Sequence, residues 1–177
     1  EGELEDLRNS FHLLQEATGA TTSGVIAASF GASLLLLSNP HDLPVDTAVF
    51  LNPVIDFEKT FLEPETAWGR ENFGRKRIKE GKPIQIEDCI LGSRFVEGLG
   101  RYEPRQRLKD WNIPIFIIHG DCDDVVPYTT SRNAAHTYNN IFLATIPGAG
   151  HGFDNVEKRE IVIRLVSLWI KFKLLQK

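Results

Sequence analysis

Leu4, Leu7, Phe11 and Leu14 recur at intervals of three and four residues, which gives a helix one apolar stripe, and Gly19 supplies a stop. The short run Gly24, Val25, Ile26, Ala27, Ala28 then predicts a strand. Ser29 interrupts it, and a second helical pattern runs through Leu34 to Leu37 and ends near Asn39 and Pro40. A further strand is expected over residues 47–51, stopped by Asn52 and Pro53. From Phe57 to about Asp110 the pattern loosens: charges, Gly and Pro are scattered and no long strand emerges. Regularity returns with Ile-Pro-Ile-Phe-Ile-Ile at 113–118, too continuous for a half-exposed strand and suited to a parallel strand covered on both faces. A helix over 130–138, a strand over 141–146 and a final helix from Val156 to about Leu175 follow. In the last, Val162, Leu165, Val166, Trp169 and Phe172 mark the expected buried stripe.

Strands alternating with helices imply βαβ units, whose right-handed crossovers put helices on both faces of a parallel sheet. The expectation is therefore a three-layer α/β fold with four strands. Its core covers residues 1–56 and 110–177, and an insertion at 57–109 follows the second strand. In open sheets of this class ligands bind at the carboxyl ends of the strands, so the residues just after each strand are the first place to look for chemistry.

Composition narrows the choice of function. A net charge of -4 argues against a nucleic-acid surface, which needs concentrated basic residues to replace counterions. The cluster Arg70, Arg75, Lys76, Arg77 and Lys79 is interleaved with Glu71 and Glu80 and reads as a solvated helix face. Cys89 and Cys122 lack the spacing of a zinc knuckle or redox pair, and a reducing, cytoplasmic compartment is the simpler reading. The four leucines at 34–37 fall far short of a membrane span, and no signal-peptide pattern opens the chain. The start at Glu1, the absence of Met and an opening directly into a helix lead us to expect a processed, trimmed or partial chain.

Three strand ends carry reactive residues. The first is Ala27-Ala28-Ser29-Phe30-Gly31, a strand-to-helix turn with serine at its centre and small residues two positions to either side. A tight turn that projects a nucleophile crowds those flanking positions, although Ala stands where Gly is usual at the first. At the start of the following helix, the Phe30 N–H is placed to stabilise an oxyanion. The competing reading is an ordinary serine N-cap. The second strand end is His119-Gly120-Asp121-Cys122-Asp123-Asp124, where a carboxylate could fix a histidine tautomer, although turn and cap roles also explain aspartates there. The third is Pro147-Gly148-Ala149-Gly150-His151-Gly152-Phe153, where glycines let a loop carry His151 close to other loops as a general base.

With these motifs in the order Ser, Asp, His, the chain resembles the α/β-hydrolase family, within the group of small esterases, cinnamoyl/feruloyl esterases, thioesterases and serine peptidase-like lipases. The opening Glu1-Gly2-Glu3-Leu4-Glu5-Asp6-Leu7 also resembles the segment after an arginine-glycine-histidine-glycine-serine loop in those esterases. The resemblance implies that Ser29 is the nucleophile, Asp123 the acid and His151 the base, and that the insertion is a cap shaping substrate choice. It also implies four further strands and a helix upstream, with a loop donating the second oxyanion N–H. The expected chemistry is cleavage of a carboxylic ester through an acyl-enzyme, with no cofactor and no metal.

Several alternatives stay open. Asp56, beyond the second strand, is another position for the acid, and Asp121 and Asp124 compete beside Asp123. His119 with the three aspartates fits no established zinc or calcium spacing. His12, His41 and His136 read as surface residues, and Cys122 as a small loop residue. A thioesterase or acyltransferase of the same fold is a second enzyme reading, and a non-catalytic truncated relative a third. The partners expected are a small ester or thioester and, at an exposed sheet edge, a second chain.

Overall fold

The computed structural model describes residues 2–21 and 23–175; Glu1, which opens the motif quoted above, lies outside them. The elements are α1 (Gly2–Thr18), β1 (Ser23–Ala28), α2 (Phe30–Leu37), β2 (Val45–Leu51), α3 (Ala67–Asn72), α4 (Arg75–Lys79), β3 (Ile84–Ile86), β4 (Cys89–Leu91), α5 (Ser93–Arg101), β5 (Ile115–Gly120), α6 (Tyr128–Thr137), β6 (Ile141–Ile146) and α7 (Val156–Leu174).

Four strands form one sheet in the order β1-β2-β5-β6, every neighbouring pair parallel. The continuous apolar runs lie in the centre: Ala48, Val49 and Phe50 of β2 and Ile115, Ile117 and Ile118 of β5 are buried, as strands covered on both faces require. The edge strands alternate instead, leaving Ile26 of β1 and Phe142 of β6 exposed. One face packs on α1, α2 and α6 through Phe11, Leu35, Leu36 and Ala134, closed by Trp111, whose Nε1 donates to the Leu36 carbonyl at 3.3 Å. The other packs on α7 through Val162, Val166 and Trp169; the Trp169 indole stacks on Phe116 and donates to Thr47 Oγ1 at 2.9 Å.

Two expected stripes are narrower than the sequence suggests. Leu14 of α1 and Phe172 of α7 are exposed. Each stands ten residues beyond the first member of its stripe. Ten residues advance a helix by about 1000°, about 80° short of three full turns, so the last member of each stripe falls off the buried face. Phe172 keeps a cation over its ring, with Lys173 Nζ at 5.4 Å.

Between β2 and β5 the chain builds a second apolar cluster. Phe57, Phe61, Phe73, Ile78, Ile84, Val96 and Leu99 are buried together, and Phe30 and Leu37 of α2 pack against them. The β3–β4 hairpin pairs three residues on each strand, and α3, α4 and α5 are six, five and nine residues long. Elements this short complete barely one or two periods, which is why no repeat showed in the sequence.

Candidate active site

Ser29 joins β1 directly to α2 with φ 49° and ψ -121°. This is a conformation that a non-glycine residue holds only when its surroundings over-determine it. Here they do: Ser29 N–H donates to the Leu51 carbonyl at 2.9 Å, and its own carbonyl accepts from Val54 N–H at 3.0 Å and Ala32 N–H at 3.2 Å. The small flanking residues face each other across the turn, since a Cβ placed on Gly31 would lie 4.0 Å from that of Ala27. The Ser29 hydroxyl makes no capping bond to α2. It lies 3.0 Å from His151 Nε2.

Asp123 is buried in the loop after β5. Its Oδ1 accepts from the Val125 and Val126 N–H groups, both at 2.9 Å, and its Oδ2 lies 2.8 Å from His151 Nδ1. Burial pushes this carboxyl up, but the hydrogen bonds from His119, His151 and Val126 outweigh it and hold the group well below the ordinary aspartate range.

His151 reaches these partners because its loop rests on the acid loop. Gly120 lies against Ala149, Cys122 N–H donates to the Ala149 carbonyl at 3.0 Å, and Asp121 Oδ1 accepts from Gly148 N–H at 2.6 Å. Positive φ values at Gly148 (66°) and Phe153 (52°) turn the chain on either side.

Of the four carboxylates left open by the sequence, Asp123 is the one that meets His151. Asp121 ties the loops together and Asp124 is exposed. Asp56 is buried at the root of the segment between β2 and β5, where it accepts from Lys59 N–H at 2.9 Å and faces Arg105 Nε at 3.5 Å. Cys122 is exposed with a free thiol. Phe30 opens α2, so its N–H has no acceptor one turn back. Its ring stacks on Phe57 with centroids 5.7 Å apart and tilts against Phe95 at 4.8 Å.

Two further residues join the site. Asn52, read from sequence as a strand stop, is buried with φ 42°. Its Oδ1 accepts from Gly120 N–H at 2.9 Å and its Nδ2 donates to the His151 carbonyl at 2.5 Å, so one amide fastens the acid and base loops. His119 is fully buried, with Nε2 3.3 Å from Asp123 Oδ2. An Asn directly after a strand, and a His at the end of an otherwise apolar one, were the signals available. Asn52 meets partners 68 and 99 residues away, whereas those of His119 lie 4 to 12 residues on, in the loop after β5 and in α6. A hydroxyl within hydrogen-bond reach of an imidazole, whose other nitrogen meets a carboxylate, has the geometry needed to move a proton off the hydroxyl.

No family model matches the chain. Over 152 residues it is 37% identical to the non-heme chloroperoxidase CPO-A1 of Kitasatospora aureofaciens, a match covering 80% of this chain and 55% of that protein. Over 134 residues it is 25% identical to the bifunctional esterase/perhydrolase DCH of Acinetobacter calcoaceticus, covering 70% of this chain and 49% of that one. The chain thus spans about half the length of the curated relatives it matches. Among solved structures, Est1E from Butyrivibrio proteoclasticus with ferulic acid bound superposes with a TM-score of 0.70 at 22% identity, over 94% of this chain and 66% of that one. The esterase domain of a Rhodothermus marinus protein gives a TM-score of 0.68 at 16% identity, over 94% and 67%. With the parallel sheet and its flanking helices, these likenesses identify the architecture as part of the α/β-hydrolase fold. Among the described residues no helix is long and apolar enough to cross a membrane.

Proposed function

We propose that this α/β-hydrolase-fold chain is part of a serine hydrolase that cleaves carboxylic esters through Ser29, His151 and Asp123. The observation that carries the reading is the unbroken line of contacts from Ser29 Oγ to His151 Nε2 at 3.0 Å and from His151 Nδ1 to Asp123 Oδ2 at 2.8 Å. His151 takes the Ser29 proton as the oxygen attacks the ester carbonyl, and returns it to the departing alcohol. Water, activated by the same imidazole, then releases the acid from the acyl-serine. Asp123 holds the tautomer and stabilises the imidazolium. Phe30 N–H supplies one oxyanion donor, and by resemblance the second comes from a loop upstream of this chain. The segment 57–109 acts as a cap whose aromatic residues, packed on Phe30, shape the acyl site. The two free cysteines support a reducing, cytoplasmic setting.

The same intermediate supports other acyl donors and acceptors. Thioesters are alternative donors, and the names of the two curated relatives favour hydrogen peroxide as an alternative acceptor, giving a peracid in place of the acid. The test is turnover of p-nitrophenyl acetate by the wild-type chain and Ser29→Ala, beside an acyl-CoA and beside added peroxide. The expected result is ester turnover that disappears in Ser29→Ala while folding persists. Equal turnover by the variant would overturn the proposal.

A further inference from the structure

We propose that His119 is a positioning residue of this site, acting through Asp123: its Nε2–H holds the carboxylate that orients His151 and so sets how basic His151 is toward Ser29. The inference rests on the hydrolase reading above and adds a residue that never touches the reacting atoms.

His119 ends the buried strand β5 and is 0% exposed, as is the Asp123 side chain. Its Nε2 lies 3.3 Å from the Val126 carbonyl, toward which the N–H is aimed, and 3.3 Å from Asp123 Oδ2. Both neighbours are acceptors, so this nitrogen carries the hydrogen, which points at the Val126 carbonyl with the carboxylate oxygen beside it at the same distance. Nδ1 lies 2.7 Å from Ser131 Oγ of α6, a hydroxyl able to donate to it. Asp123 Oδ2 therefore sits between two imidazole nitrogens, His119 Nε2 on the buried side and His151 Nδ1 on the open side, while Oδ1 takes two backbone N–H groups. The buried carboxylate thus faces two backbone N–H groups and two imidazole nitrogens, and its charge is not spent on His151 alone.

Among the described residues the surroundings contain little else that titrates. From α6 the Tyr128 ring stands edge-on to His119, with centroids 5.6 Å apart and its hydroxyl on Thr145 Oγ1. On the acid loop Asp121 and Asp124 are exposed. Just after the end of β2, the uncharged Asn52 amide holds the neighbouring Gly120 N–H. Asp123 and His151 are thus the ionisable groups through which His119 acts. Each donor on the carboxylate draws charge from the oxygen that stabilises the His151 imidazolium. Removing the His119 N–H makes that imidazolium more stable, so His151 keeps its proton to higher pH and loses function as a base at the acidic end.

The test is the second-order rate of fluorophosphonate labelling as a function of pH for the wild type, His119→Phe and His119→Gln. Phe keeps a ring against Tyr128 without the donor, and Gln keeps a side-chain N–H without the ring. The expected result is an acid limb moved upward by about half a pH unit or more in His119→Phe and unmoved in His119→Gln. An unmoved limb in His119→Phe, or equal movement in both variants, would reduce His119 to packing and overturn the proposal. A second measurement needs no folded variant at His119. In the wild type labelled with ¹⁵N-histidine, His119 is expected as the Nε2–H tautomer, with a proton resonance that shifts in Asp123→Asn. An Nδ1–H tautomer, or a proton indifferent to that change, would overturn it. Wild-type protein that never labels at Ser29 would sink the hydrolase reading, while the resonance experiment would still decide the role of His119.

Discussion

Gly120 lies so close beneath Ala149 that a Cβ on residue 120 would fall 2.2 Å from the Ala149 carbonyl oxygen. The contact joins the end of β5 to the loop bearing His151. It fixes the height at which the imidazole stands over Asp123. A neighbouring bond, Cys122 N–H to the same carbonyl at 3.0 Å, closes the joint from the acid side.

Gly120→Ala therefore forces the loops apart, because backbone cannot yield as a flexible side chain would. The expected cost is at least about 1–3 kcal/mol in urea unfolding, with labelling of Ser29 slowed more than tenfold. Wild-type stability and labelling in this variant would show that the loops are not held by this contact.

Asn52 spans the same joint with its side chain. In Asn52→Gly the positive φ remains comfortable, so the variant isolates the amide. Gly120 N–H and the His151 carbonyl lose their partner, at about 1–3 kcal/mol for each buried group left unpaired. Denaturant midpoints and labelling rates are both expected to fall. An unchanged midpoint would mean that water or another side chain replaces the amide.

The depressed carboxyl of Asp123 predicts how stability depends on pH. Folded Asp123 binds its proton less tightly than the unfolded chain, so its contribution is whole above the ordinary carboxylate range and is lost as pH falls through the folded value. Urea midpoints of the wild type and Asp123→Asn should differ most above about pH 5 and converge below about pH 4. A gap of constant size from pH 7 to pH 3 would contradict this.

Glu103 makes a separate prediction for the segment between β2 and β5. Its carboxylate accepts from Phe57 N–H at 3.2 Å and Glu58 N–H at 3.1 Å where the segment starts, and from Arg105 N–H at 3.1 Å where it ends. Glu103→Ala should raise amide hydrogen exchange across residues 57–62 and leave β2 and β5 protected. Exchange unchanged in 57–62 would show that the apolar cluster alone holds the segment.

Much of this was legible along the chain. The continuous run at 113–118 announced a doubly covered strand, Ser29 and His151 stood out because each follows a strand among small residues, and the family resemblance picked Asp123 from three aspartates after the third strand. Asn52 did not stand out, and His119 drew notice only as a metal ligand whose spacing did not fit. Asn52 meets His151 across 99 positions of sequence, and the partners of His119 emerge only once the loop after β5 folds back over it. Asp56 stayed a secondary alternative for the acid until its capping of Lys59 N–H was seen. The short helices and hairpin between β2 and β5 carry no period long enough to read. Leu14 and Phe172 matched a pattern that drifts off the buried face within three turns.

The central claim, that His151 and Asp123 make the Ser29 hydroxyl a nucleophile, is tested most directly by mapping a fluorophosphonate adduct by peptide mass spectrometry in the wild type, Ser29→Ala and His151→Ala. The account predicts a stoichiometric adduct on Ser29, absent from Ser29→Ala and slowed at least about a hundredfold in His151→Ala. A folded wild-type chain that carries no adduct, or one that labels equally fast without His151, would contradict it.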